Sequence, residues 1–382
     1  EIADARLDTA AHWWIISDLD DALRGGPAPA DHVMGVGGAT RTLIAQAPVH
    51  EVERALEIGT GCGAVALHLA LRGPVVATDI SERALRFARA NARLNAVRGI
   101  EFRQGDLFAP VTGESFDLIL SNPPFVVTPR DAALPRYEYR DAGLVGDALA
   151  ARVIELAPGH LRPGGTLLCL ANWECPWGAD GLARVAGWIA EADRALGAQA
   201  DLAAWIIERD RISPVQYAET WARDGGARPG EAEYERLIEA WLADFAERRV
   251  VALGLGSIRV RRLPAAQTHA PLVHAERAAG AFSADAGARL AATFDAALRV
   301  ARLDDAAMLA ARWVRSDDVI EHREHLPGQE APFAIALTAE AGIARRVTAD
   351  PLLAAAVGAC DGELTLAQIV DALAMLLEVD AG

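Results

Sequence analysis

Between residues 54 and 263 the chain alternates short apolar runs with stretches whose apolar residues recur at helical spacing. That alternation marks a doubly wound α/β sheet, with helices on both faces of mostly parallel strands. Apolar runs at 55–58, 74–78, 100–104, 116–120, 164–170, 202–207 and 250–260 predict seven strands. Helices are expected at 62–71, 82–94 and 147–157, with Ser81 placed to cap the second. An insertion at 213–249 separates the last two strands. Within it Tyr234, Leu237, Trp241 and Phe245 follow the spacing of a buried helix face.

The flanks are less regular. Trp13-Trp14-Ile15-Ile16 reads as strand-like, and Gly35-Val36-Gly37-Gly38-Ala39-Thr40 leads into a helix from about Thr42. Residues 264–271 are turn-rich and lack periodicity, as a linker would. Beyond them a helix at 286–303, a strand at 331–337 and a helix at 370–377, preceded by Gly362 and a capping Thr365, predict a small C-terminal α+β domain. That last pattern is shared by winged-helix modules and plain helical caps. The expected organisation is an N-terminal segment and helix start (1–46), a main α/β domain (47–263) carrying the insertion at 213–249, and an accessory domain (272–382).

Composition narrows the classes. No apolar run approaches the ~20 residues of a membrane span, and the first residues lack the pattern of a signal peptide. Cys62, Cys169, Cys175 and Cys360 form no Cys-x-x-Cys pair and read as free thiols of a cytoplasmic protein. Glu321-His322-Arg323-Glu324-His325 has the wrong spacing for a metalloprotease helix, so no metal is expected. Every basic side chain is Arg, and the net charge is −16. Beyond Leu263 there are 9 Arg against 17 acids, and up to it 28 against 36. Neither part is basic, which disfavours a general grip on nucleic-acid phosphates.

The chemistry-bearing residues lie in the main domain. Glu57-Ile58-Gly59-Thr60-Gly61-Cys62-Gly63 follows the first of the seven strands and opens a helix. Glycines there let a turn run against a ligand, although a tight turn without one, or a dinucleotide site, has the same look. Asp79 ends the next strand, 20 residues after Gly59, where a carboxylate can accept hydrogen bonds from both hydroxyls of a ribose. Asp106 fits an acceptor for an adenine amino group, with the Leu107 amide facing the ring, and Glu57 would face the charged end of the cofactor. Thr60 and Ile80 complete this set. A nicotinamide site explains Asp79 but neither Asp106 nor the Asn122-Pro123-Pro124-Phe125 that follows the fourth of those strands. The joint pattern favours S-adenosylmethionine.

Taken in order, residues 57–63, Asp79, Gly105-Asp106 and Asn122-Pro123-Pro124-Phe125 resemble the motifs of class I methyltransferases that modify amino groups on planar carbon. The resemblance covers about residues 31–263 and implies a Rossmann-like, seven-stranded methyltransferase sheet. Asn/Asp-Pro-Pro-Tyr/Phe belongs to DNA adenine N6, rRNA guanine N2 and protein glutamine N5 enzymes. HemK-type glutamine methyltransferases carry Arg-Pro-Glu-Thr where Gly37-Gly38-Ala39-Thr40 stands, and only the Thr matches. Residues 31–38, 121–129 and 137–141 resemble an actinobacterial group of HemK-like enzymes.

The implied chemistry is methyl transfer to an amide or amino nitrogen on a protein or peptide. The Asn122 side-chain oxygen and the Pro123 carbonyl would each hold an N–H, Pro124 would stiffen the loop and Phe125 would stack on the planar group. Tyr137, Tyr139 and Arg140 are candidate substrate contacts, and Trp173 reads as core. The other readings are a nucleic-acid base or small-molecule methyltransferase, or a scaffold without activity.

Overall fold

Strands that bury both faces need helices on both sides, and the core divides accordingly. The computed structural model describes residues 2–4, 11–19, 29–129, 144–197, 201–264, 271–279, 282–283, 286–339, 342–343 and 345–377. These fall into two compact units, Glu1–Arg277 and Ala278–Gly382.

In the first unit β1 (Ile2–Asp4) pairs antiparallel with β2 (Ala11–Trp13). Then come α1 (Gly38–Gln46), β3 (Ala55–Ile58), α2 (Ala64–Leu69), β4 (Val75–Asp79), α3 (Glu82–Leu94), β5 (Ile100–Gln104) and β6 (Phe116–Ser121). They are followed by α4 (Ala148–Leu156), β7 (Leu161–Pro176), α5 (Gly181–Leu196) and β8 (Leu202–Ile212). The inserted helices α6 (Pro214–Asp224) and α7 (Ala232–Glu247) precede β9 (Val250–Arg262) and β10 (Leu272–Arg277). The sheet order is β10-β8-β9-β7-β6-β3-β4-β5, with β9 antiparallel to both neighbours and every other pairing parallel.

Alternation along the strands sorts the core. Leu56, Ile58, Ile119 and Leu167 face Val153 and Ile154 of α4 and Val185 and Ile189 of α5. Their neighbours Ala55, Leu118, Leu120 and Leu168 point the other way, onto Leu43 and Ile44 of α1 and Val65 and Leu69 of α2.

The seven expected strands are joined by an eighth. β10 pairs parallel with β8 at the sheet edge, so residues 272–277, expected in the accessory domain, belong to the first unit, which ends at Arg277. The strand was hard to read because edge position leaves His274, Ala275 and Arg277 exposed, without an apolar run. Its Glu276 Oε1 accepts from Trp205 Nε1 of β8 at 2.6 Å. β7 and β8 also run longer than expected, to Pro176 and Ile212, because β9 lies between them and pairs with both, as far as Pro176–Val250 and Ile212–Leu253.

The second unit holds α8 (Ala286–Val300) and α9 (Asp305–Ala310), an antiparallel sheet of β11 (Val319–Glu324), β12 (Ala334–Ala339) and β13 (Arg345–Ala349), then α10 (Pro351–Gly358) and α11 (Leu366–Leu377). α11 starts four residues earlier than expected because Thr365 Oγ1 accepts from Gln368 N at 3.3 Å, while Gln368 Oε1 accepts from Thr365 N at 3.0 Å. The three strands precede this helix and none follows it among the described residues, the reverse of winged-helix order. The unit is α+β. His322 lies on the exposed strand β11, with Nε2 at 2.9 Å from Thr338 Oγ1. No helix of the described residues is long and apolar enough to cross a membrane.

Candidate active site

The strands β5, β4, β3 and β6 end together at one edge of the sheet: Ile58 lies opposite Thr78 and Ser121, and Asp79 opposite Gln104. From β3 the chain proceeds to β4 on one side, while β6 pairs on the other. Such a switch point is where open α/β sheets bind ligands. The last carbonyls of β3 are pinned from both sides, by Thr78 Oγ1 on Glu57 O at 3.3 Å and by Ser121 Oγ on Ile58 O at 3.2 Å.

The loop that follows is left-handed at Gly59, Gly61 and Gly63, with φ of +74°, +53° and +86°. A Cβ on Gly63 would sit 2.9 Å from Ala88 Cβ, so this glycine lets α2 start against α3. A Cβ on Gly61 would meet nothing within 4 Å, which leaves open space along the loop.

The acids ring this space. Glu57 is buried and its Oε2 accepts from Thr60 Oγ1 at 2.6 Å. Burial pushes its carboxyl up to about 8 and the nearby Asp79 charge acts in the same direction, against the Thr60 bond. All of the Thr60 polar groups are engaged internally: its amide bonds Thr78 O at 3.0 Å and its carbonyl accepts from Gly63 N at 2.8 Å. Asp79 Oδ2 accepts from Gly61 N and Oδ1 from Ser81 N, each at 2.9 Å. Ile80, next in the chain, is 62% exposed, an apolar platform beside that carboxylate. Asp106 is exposed beyond β5, and Leu107 holds φ of +44° with its side chain packed against the core. Together these residues could hold a nucleoside with a charged tail: carboxylates for hydroxyl and amino donors, an apolar face for a ring, and open space along the glycine loop.

Asn122, Pro123, Pro124 and Phe125 leave β6 at the same edge. A Cβ on Gly59 would lie 3.9 Å from the Asn122 carbonyl oxygen, so the corner and the glycine loop adjoin. Asn122 Oδ1 is buried and has no hydrogen-bond partner. Leaving a buried amide oxygen unpaired costs about 1–3 kcal/mol, which calls for a compensating role. Pro123 is buried, and Pro124 and Phe125 half-buried. The Phe125 ring meets Trp221 of α6 edge-on, centroids 6.3 Å apart. A crevice of about 10 Å³ beside the corner, lined by Pro124, Phe125, Asp147 and Asn172, has room for roughly one water. Tyr137, Tyr139 and Arg140 lie outside the described residues. Trp173 is fully buried in the core, and its Nε1 donates to Glu208 Oε2 at 3.2 Å.

Two groups of residues at this edge escaped the sequence reading. Asn91 of α3 is fully buried; its Oδ1 accepts from Ile16 N at 2.7 Å and its Nδ2 donates to both Ile16 O and Cys62 O at 2.8 Å. One turn on, Asn95 brackets Trp14 in the same way, N–H and carbonyl each at 2.8 Å. Asp18 is held by Arg83 in a two-pronged ion pair and by Val33 N at 2.9 Å, and the Arg83 bonds draw its carboxyl down to about 2. Residues 13–18 and 31–36 are thereby strapped to α3, with Trp13 and Val33 buried against Cys62, Ala64 and Ala84. The available signal was the pair of asparagines four apart, poor helix formers on a packed helix face. The second group, on α6 and α7, was legible as a buried helix face at Tyr234, Leu237 and Trp241 but not as part of this edge: with Tyr217 these residues share a buried cluster with Val126 and Val127 and enclose the exit of the corner.

Residues 34–187 match the family described as Methyltransferase small domain. The release factor glutamine methyltransferase of Xylella fastidiosa is 38% identical over 167 residues, covering 40% of this chain and 60% of that protein. The ribosomal protein uL3 glutamine methyltransferase of Bradyrhizobium diazoefficiens is 39% identical over 128 residues, covering 31% of this chain and 40% of the relative. The release factor glutamine methyltransferase of Deinococcus radiodurans is 40% identical over 154 residues, 37% of this chain and 53% of that one. The chain thus spans at most 60% of the length of these relatives. In the order of its motifs and in its matches, the stretch 34–187 is similar to methyltransferase small domains and to glutamine methyltransferases of release factors and of a ribosomal protein, on a doubly wound sheet.

Proposed function

We propose that this chain is an S-adenosylmethionine-dependent N-methyltransferase whose acceptor is the side-chain amide nitrogen of a glutamine in a protein. The observation that carries the reading is the buried, unpartnered Asn122 Oδ1, on a proline-stiffened corner beside the glycine loop. An amide nitrogen is a poor nucleophile because its lone pair is delocalised. Two carbonyl oxygens, from the Asn122 side chain and the Pro123 backbone, would each take one of its N–H groups and turn the lone pair toward the incoming carbon. Stabilisation then comes from fixed dipoles in a dry corner rather than from a strong base.

The cofactor supplies an electrophilic methyl group on a cationic sulfur. Glu57 would hold its amino-acid end, Asp79 its ribose hydroxyls, Asp106 and the Leu107 amide its adenine edge, and Ile80 the ring face; Gly59, Gly61 and Gly63 would keep the loop close. Thr60 would act through Glu57, which it fixes by its hydroxyl. The protein acceptor is supported by the names of the similar proteins, which are glutamine methyltransferases of release factors and of a ribosomal protein. It is also supported by the net charge of −16, which disfavours a nucleic-acid backbone as partner.

The test is transfer of tritiated methyl from S-adenosylmethionine into a fractionated lysate. Label should enter protein and survive enzymatic digestion as N5-methylglutamine. Label confined to RNA or to small molecules would sink the proposal.

A further inference from the structure

Val127, five residues beyond Asn122, has both backbone polar groups taken by side chains of the inserted helices. Its N–H donates to the Tyr217 hydroxyl oxygen at 2.9 Å, and its carbonyl accepts from Trp241 Nε1 at 2.7 Å. The same hydroxyl oxygen accepts from Asn172 Nδ2 at 3.0 Å, which ties the corner's exit to β7. Tyr217 and Trp241 are 0% and 1% exposed, so neither bond competes with water. Phe125 rests on Trp221 of the same insertion. The insertion has its own anchor at the far end of α7, where Arg248 Nε donates to Glu174 Oε1 at 3.0 Å. None of α6 or α7 falls within the family match, which ends at residue 187.

We infer that the helical insertion at 213–249 is a positioning device for the Asn-Pro-Pro-Phe corner, with Tyr217 and Trp241 as its positioning residues. The physical need is plain. An unpaired buried oxygen such as Asn122 Oδ1 gains free energy by rotating or shifting to find a donor, so the corner must be restrained from outside. The two prolines stiffen it within, β6 holds one end, and the clasp on Val127 holds the other. Neither positioning residue has to touch cofactor or acceptor; they act by keeping the acceptor oxygens aimed. Its kinetic consequence rests on the methyl-transfer reading, whereas its structural consequence does not.

Tyr217→Phe and Trp241→Phe, each in the full chain, remove one clasp bond while keeping an aromatic ring. In hydrogen exchange, amides at 122–128 should open about tenfold faster or more, while those of the glycine loop, 57–63, keep their protection. With labelled S-adenosylmethionine and the protein fraction of a lysate, maximal transfer should fall about 10- to 10²-fold, as displacement of a reacting geometry does, with the apparent KM for S-adenosylmethionine within about twofold. Unchanged maximal transfer, or a KM rising in step with the loss, would overturn the inference. So would loosening spread evenly over the sheet, or variants that fail to fold, since both residues would then be ordinary core. A wild-type chain that transfers no label would strike the methyl-transfer reading instead, and the exchange pattern alone would decide the clasp.

Discussion

Asn122 and Glu57 are each held in a state that water would relieve, one lacking a donor and the other shut away from solvent. For Asn122 the consequence is a separation of function from stability. Asn122→Ala should lower turnover about 10²-fold or more while calorimetry finds cofactor affinity near normal. The same change removes a buried unpaired oxygen, so the urea midpoint should hold or rise; a large fall would mean that Asn122 is a structural anchor. For Glu57 the folded-state carboxyl is pushed up to about 8 from its ordinary 4.5. Across that interval the folded chain keeps a proton that the unfolded chain has released. Stability from this site is therefore full at acidic pH, declines as pH rises through the interval, and levels off above it. Urea unfolding at about pH 6 and about pH 8.5 should show Glu57→Gln losing less stability than wild type over that step. An identical loss in both would remove Glu57 as its source.

Secondary-structure elements show how much of this was readable. Glu82–Leu94 and Ile100–Gln104 stand at the residues expected, because a Ser81 cap, a packed face and flanking turns all agree. The buried face of α7, Tyr234, Leu237, Trp241 and Phe245, was equally visible, but periodicity says that a face is buried and never against what. Only the fold shows that this face encloses the exit of the corner. Gly63 belongs at this scale too: with φ of +86° and Ala88 Cβ 2.9 Å from a new Cβ, Gly63→Ala should cost about 1–3 kcal/mol in chemical unfolding. A neutral result would mean that α2 and α3 can part without loss. β10 gives a further check. A chain ending at Arg277 should melt at least about 2 °C above one ending at Leu263, because the latter exposes the β8 edge and removes the Trp205–Glu276 bond. Equal melting points would make β10 an ornament.

At the scale of the whole molecule the charge dominates. With −16 overall and more acids than Arg on both sides of Leu263, the full chain should not retain RNA on a filter even at about 50 mM salt, where phosphate contacts are strongest. Tight, salt-sensitive retention would reopen a nucleic-acid acceptor. The second unit folds around its own sheet and has a core of its own, with Ile335, Ala349 and Ala354 buried together. Its three strands all precede α11 in the chain.

Amino-acid order alone determined what depends on neighbours within a few residues: strand and helix periods, the glycine turn, the acid at the end of β4 and the proline corner. It also placed these motifs on successive strand ends, since one doubly wound arrangement satisfies that alternation. Tertiary structure decided what depends on distant partners. It strapped residues 13–18 to α3 through Asn91 and Asn95, added β10 to the sheet, enclosed Val127 between Tyr217 and Trp241, and left Asn122 Oδ1 without a donor. Hydrogen bonds between residues 75 to 114 positions apart leave no periodic trace along the chain, because each needs only one suitable side chain at one place in space.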